Sequence, residues 1–111
     1  MNTLRIGFLA AALFVTAVGV LSPAAHADDG AYIDALFKGG ADTSDPAALI
    51  KAGKIACADF RAGSSYLDVG KELISANFTP RDSGRIIYAA AIDLCPDQLA
   101  NVQSQYNALT H

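Results

Sequence analysis

Hydrophobic residues recur at helical spacing through most of the chain after residue 28, and helix-starting or helix-stopping residues separate the stretches. Asp45-Pro46 and Thr79-Pro80 are typical helix starts, because the first side chain caps free amides and proline needs no hydrogen bond there. Gly39-Gly40 and Gly63 are typical helix stops. The pattern contains no strand alternation. It predicts an all-α fold, a small compact bundle of four to five short helices.

Two stretches carry the clearest apolar stripes, and we expect them to form the centre of the core. The second predicted helix has Leu49, Ile50, Gly53, Ala56, Cys57 and Phe60 on one side, and the fourth has Ile86, Ile87, Ala90, Ala91 and Leu94. Glycine inside a helix costs about 1 kcal/mol relative to alanine. A close approach by a neighbouring helix would compensate for this cost at Gly53; the alternative is that the glycine is simply tolerated there. Tyr88, which lies beside the second stripe, is predicted to be a core residue.

The N-terminal segment 1–27 has the pattern of a secretory signal peptide. Arg5 precedes the uncharged apolar run of residues 6–21, and Ala25-His26-Ala27 has the small-x-small form that signal peptidase cleaves. The alternative is an uncleaved anchor, but 16 residues (21 − 6 + 1) fall short of the roughly 20 that span a bilayer. We predict cleavage after Ala27, a helical domain over residues 28–96 and an amphipathic C-terminal extension over residues 97–111.

The charge of the predicted product disfavours two classes of partner. The chain has eight Lys and Arg against eleven Asp and Glu; without Arg5 the balance is 7 − 11 = −4. An acidic surface repels nucleic-acid phosphates and anionic lipid head groups. We therefore expect no nucleic-acid partner, and no stable membrane span once the signal is cleaved. The expected location is extracytoplasmic, at the cell envelope or outside the cell.

Cys57 and Cys95 are the only cysteines in the chain. An exported pair normally forms one structural disulfide, and this one would close a loop of 95 − 57 = 38 positions. A redox-active or metal-binding pair is the alternative. Redox pairs are usually Cys-x-x-Cys, however, and zinc takes four ligands. We predict a structural disulfide, with no metal and no cofactor.

The chain resembles the Domain of Unknown Function 732 family, small secreted proteins typical of mycobacteria and their relatives. The motifs that carry the resemblance are Tyr32-Ile33-Asp34-Ala35-Leu36, Leu49-Ile50, Gly53, Cys57, Gly63, Leu73, Thr79-Pro80 and Ala91-Ile92-Asp93-Leu94-Cys95-Pro96. The resemblance implies a secreted helical domain with its two cysteines bonded. It implies no activity and no catalytic residue. Family members commonly end soon after Cys-Pro, whereas this chain continues through residues 97–111.

Catalytic residues are hard to assemble from this sequence. After the predicted cleavage the only histidine is His111, the final residue, and chain ends are rarely ordered enough to position a base. Asp59 and Asp93 each lie two positions from a cysteine, so a disulfide could bring these carboxylates together. Residues two apart on a helix point to different faces, and we expect both to be solvated.

The sequence supports three hypotheses for function. The first is a non-enzymatic binding or interaction module, whose candidate contact face is formed by Leu99, Val102, Tyr106 and Leu109 at 3-4-3 spacing. The second is a carrier of a small apolar ligand or lipid held between helices. The third is an enzyme that uses carboxylates alone. The missing catalytic set favours the first, with no catalytic residue and an unidentified protein or apolar molecule as partner.

Overall fold

The computed structural model describes residues 28–110, and the structure is all-α as predicted. The helices are α1 (Asp29–Lys38), α2 (Pro46–Arg61), α3 (Tyr66–Ser75), α4 (Pro80–Asp93) and α5 (Leu99–Thr110), with a short 3-10 turn (Pro96–Gln98) before α5. No strand occurs in this part of the chain. The signal peptide predicted over residues 1–27 and the terminal His111 lie outside the described residues.

The helix starts are set by local side-chain caps. Asp45 and Thr79 each accept a hydrogen bond from the amide three residues later, as the sequence predicts, and Ser65 caps α3 in the same way. The first helix is capped in the same way by Asp28. Its side chain accepts from the Ala31 amide at 2.9 Å. The helix bounds therefore follow from residues that are adjacent in sequence.

α4 occupies the centre of the bundle and contacts all four other helices. Its inner side chains are almost fully buried, as the apolar stripe predicts. The core comprises Tyr32, Leu36, Ala41, Leu49, Ala52, Ala56, Phe60, Val69, Leu73, Ile86, Ile87, Ala89, Ala90, Ala91, Leu94 and Val102, together with the two cysteines. The helices therefore share one continuous core, to which α5 contributes through Val102.

The predicted disulfide is present and joins the end of α2 to the turn after α4. Cys57 and Cys95 are both buried, and their Cα atoms lie 5.9 Å apart. An ion pair one turn further along α2 repeats this connection. The Nε and Nη2 atoms of Arg61 donate to the two carboxylate oxygens of Asp97 at 3.0 and 2.7 Å. The covalent bond and the ion pair thus hold the start of the 3-10 turn against α2.

The Arg61–Asp97 pair is exposed, so its contribution to stability is small compared with that of the disulfide. Hydrogen bonds from Arg61 nevertheless hold the pKa of the Asp97 carboxyl far below its usual range. The carboxylate therefore stays charged at any physiological pH. The pair lies in the turn that leads into α5, two residues beyond the disulfide.

Gly53 allows α1 and α2 to pack closely, which agrees with the first of the two interpretations of the sequence. A Cβ atom at this position would lie 2.7 Å from Cζ and Oη of Tyr32 and from Cδ1 of Leu94. Tyr32 is fully buried, and its hydroxyl donates to the Leu49 carbonyl at 2.6 Å. The tyrosine ring therefore occupies the space that a larger residue at position 53 would need.

Candidate functional site

A surface cleft lies where α4, α5 and the start of α3 meet. We call it the tyrosine cleft; its volume is about 650 Å³, which is within the range of small-molecule sites. It is lined by Tyr66 from α3, by Arg81, Gly84, Arg85 and Tyr88 from α4, and by Gln103, Tyr106 and Asn107 from α5. The α4 residues are spaced i, i+3, i+4, i+7, and the α5 residues i, i+3, i+4. Each set therefore occupies one face of its helix.

Two tyrosines from different helices pack together at one side of the cleft. The ring centroids of Tyr66 and Tyr106 lie 6.0 Å apart with the planes tilted by 52°, a favourable arrangement for aromatic pairs. Burial, followed by the neighbouring Tyr106, raises the pKa of the Tyr66 hydroxyl. That hydroxyl therefore remains a neutral group, able to donate a hydrogen bond, throughout the physiological pH range.

Gly84 keeps the α4 side of the cleft open. A Cβ atom built at this position would be 3.7 Å from the Tyr66 hydroxyl, which is van der Waals contact. Any side chain larger than alanine at position 84 would therefore extend toward Tyr66 and reduce the space in the cleft.

Glutamine side chains of α5 hold both walls of the cleft in place. Gln103 donates from Nε2 to the Tyr88 hydroxyl at 3.0 Å. The Oε1 atom of Gln105 accepts a hydrogen bond from the Tyr66 backbone amide at 2.7 Å. This second bond satisfies an amide in the first turn of α3, which has no partner within its own helix. The cleft is therefore preformed, with its aromatic side chains already positioned.

The two arginines of the cleft differ in their surroundings. Arg85 is half-buried, with Nη1 3.6 Å from the Asp82 carboxylate. Its guanidinium also lies beside Gly40, at the C-terminal end of α1, where the helix dipole favours a positive charge. Arg81, one turn earlier on α4, is exposed and has no ion-pair partner within residues 28–110. Arg81 therefore provides the uncompensated positive charge of the cleft.

A known protein family matches the chain over residues 27–97, which are 71 of its 111 residues (97 − 27 + 1). The matching family is described as a protein of unknown function (DUF732). The chain belongs to this family. No curated protein and no solved structure matches it. Because α5 lies beyond the matched residues, the DUF732 region supplies only the α3 and α4 sides of the cleft.

The sequence pattern does not reveal the cleft, because it predicts that Tyr88 lies in the core of the DUF732 region. That prediction is wrong, since Tyr88 is 39% exposed and lines the cleft. Tyr88 follows Ile87, so the helix turns it about 100° away from the buried stripe. The spacing of Arg81, Arg85 and Tyr88 is the available signal, because it places three residues of binding type on one helix face.

The candidate contact face of α5 needs a correction, because the structure divides it in two. Val102 is fully buried in the core, and Leu99 is half-buried against it. These two residues attach α5 to the DUF732 region, so they are not available to a partner. Tyr106 and Leu109 remain 46% and 49% exposed. That Tyr106 takes part in binding stays a prediction, and the structure places this residue in the tyrosine cleft.

The two carboxylates weighed for catalysis have different acidic neighbours. A hydrogen-bonding contact with Asp59 raises the pKa of Glu72 on α3. Burial, followed by the charge of Asp28, raises the pKa of Asp93. Neither aspartate lines the tyrosine cleft. The acidic neighbour of Asp59 is therefore Glu72, whereas that of Asp93 is Asp28.

Residues 28–110 contain neither a cluster of metal-ligand side chains nor a membrane-spanning helix. This part of the chain brings no three His, Cys, Asp or Glu side chains together as a metal site. None of its helices combines the length and apolar character needed to cross a bilayer.

Proposed function

We propose that this protein is a non-catalytic binding module that acts outside the cytoplasm, and that the tyrosine cleft is its ligand site. The observation that carries the proposal is the convergence of three tyrosines and an unpaired arginine from three separate helices. Tyrosine and arginine are among the residue types enriched at protein interfaces, because they combine a large contact area with hydrogen bonding. The cleft thus offers the mixture of apolar walls and a few polar groups that small-molecule sites use.

The rigidity of the site supports the proposal. The disulfide, the Arg61–Asp97 pair and the Gln105 bond to the Tyr66 amide all restrain the elements that form the cleft. Binding of a ligand then costs little free energy for ordering the protein, because the binding geometry exists before the ligand arrives.

The extracytoplasmic location rests on two observations. A buried disulfide in a small domain is typical of oxidising compartments. The N-terminal segment 1–27 carries the sequence pattern of an export signal. Together they favour a protein that works at the cell envelope or beyond it.

A ligand screen by NMR tests the cleft directly. We expect a ¹H–¹⁵N spectrum of the oxidised product, residues 28–111, to respond to members of a diverse library of small polar and aromatic molecules. The affected amides should cluster around Tyr66, Gly84 and Tyr106. Tyr106→Ala should weaken such binding roughly 3- to 10-fold, since one aromatic contact contributes on the order of 0.5–1.5 kcal/mol.

Ile55→Ala is the matched control for this screen. Ile55 is a partly exposed hydrophobic residue of α2 that does not line the cleft, so its removal should leave the dissociation constants unchanged. Binders that perturb only amides outside the cleft, or equal weakening by both substitutions, would contradict the proposed site.

A further inference from the structure

We propose that the tyrosine cleft takes a small cyclic monocarboxylate, with the carboxylate on Arg81 and the ring against Tyr88 and Tyr106. This inference rests on the proposed function and specifies the chemistry of its ligand. Three features of the cleft point to that chemistry: its net charge, the nature of its walls and its size.

The charge of the cleft depends on the pairing of Arg85. The Asp82 carboxylate lies 3.6 Å from Arg85 and offsets its charge, so the two arginines and one aspartate leave a net charge of +1. That charge resides on Arg81, which is exposed to incoming molecules. A singly charged anion balances it, whereas a doubly charged phosphate monoester would bring one charge too many. The planar guanidinium fork also matches the two oxygens of a carboxylate.

The walls of the cleft favour a ring for the rest of the ligand. Tyr88 is spaced seven residues from Arg81, so both side chains lie on the same face of α4, two turns apart. Tyr106 faces this helix from α5, with 46% of its surface exposed. Aromatic walls make their best contacts with flat or ring-shaped groups. A cleft of about 650 Å³ accommodates one or two rings and excludes folded macromolecules from its interior.

Polar groups within reach can orient such a ring. The Tyr88 hydroxyl accepts a hydrogen bond from Gln103, and its own proton has no acceptor within residues 28–110. The Tyr66 hydroxyl lies above Gly84 and stays protonated because its pKa is raised. These two donors suit hydroxyl or ether oxygens on the ring, which both hydroxylated aromatic acids and sugar acids carry.

The test uses two charged probes, each with an uncharged partner. 4-Hydroxybenzoate is compared with 4-hydroxybenzamide, and glucuronate with glucose, by NMR titration of the oxidised product, residues 28–111. We expect at least one acid to shift the cleft amides and to bind at least tenfold more tightly than its neutral partner. Arg81→Gln should weaken that acid about 10- to 100-fold and leave the neutral partner unaffected, because a charge-assisted hydrogen bond is lost.

Lys51→Gln is the control, since it removes the same charge from an exposed position on α2 outside the cleft. It should weaken the acid by less than twofold. Neutral probes that bind the cleft as tightly as the acids would overturn the carboxylate assignment while supporting the cleft as a ligand site. If neither acid shifts the cleft amides, the carboxylate assignment is also overturned, and the broader library screen then decides whether the cleft binds anything.

Discussion

Replacing both Cys57 and Cys95 with alanine should lower the free energy of unfolding by about 4 kcal/mol. The disulfide closes a loop of 38 positions that contains all of α3 and α4, so its removal greatly increases the freedom of the unfolded chain. For a domain of this size the change corresponds to a fall of about 15–30 °C in melting temperature. Chemical denaturation and thermal unfolding, followed by circular dichroism at 222 nm, measure both quantities.

Reduction of the unmodified protein distinguishes the contribution of the covalent bond to stability from that of the packed sulfur atoms. The reduced chain keeps both sulfur atoms in the core and loses only the covalent bond. We expect its stability to fall nearly as far as that of the double alanine variant. Identical unfolding midpoints for the oxidised and reduced protein would show that the cross-link contributes nothing to stability.

Gly53→Ala should lower the free energy of unfolding, although alanine is the better helix former. The new Cβ would approach the ring and hydroxyl of Tyr32 to 2.7 Å. That ring is fully buried and fixed by its bond to the Leu49 carbonyl, so it has little room to shift. Overpacking of a core costs roughly 1–3 kcal/mol, and the gain in helix propensity offsets about 1 kcal/mol. Urea denaturation measures the net loss, which we expect to be about 1 kcal/mol.

Gly70→Ala is the matched control, because it is the same substitution inside a helix with no close neighbour. Nothing lies within 4 Å of a Cβ at Gly70, so we expect this variant to be more stable than the parent by up to about 1 kcal/mol. The two substitutions should therefore change stability in opposite directions. A gain of stability in both would show that Tyr32 leaves room for a methyl group at position 53.

The helices could be predicted because their signals are local in the sequence. Asp45-Pro46 and Thr79-Pro80 start helices in the structure at the predicted positions, since a cap involves only residues within one turn. The disulfide was predictable for a different reason. Only one intramolecular pairing exists for two cysteines, and the sequence pattern of an export signal favours an oxidising compartment.

The cleft could not be predicted with the same ease, because it forms between helices that are distant in sequence. The faces of α4 and α5 each show a recognisable helical spacing, but nothing local indicates that Tyr88 and Tyr106 line the same cleft. Their approach depends on the direction in which α5 leaves the 3-10 turn, and Asp97 and Cys95, in and just before that turn, contact α2.

From the sequence alone, α5 looks like an addition to a finished domain, and for that reason its apolar stripe looks available to a partner. A domain this small buries little apolar surface, and Val102 of α5 is part of its buried core. What remains exposed on α5 is the side that carries Tyr106. Burial of the first half of the stripe is thus what positions the second half over α4.

Intact mass spectrometry of protein recovered from outside the producing cell, without reductant, tests the most basic claim directly. That claim is an exported chain, trimmed after Ala27 and oxidised, in which one disulfide holds the cleft-forming helices together. The predicted result is the mass of residues 28–111 less two hydrogen atoms, with no uptake of a thiol-alkylating reagent. Retention of residues 1–27, or alkylation of both cysteines in the folded protein, would contradict it.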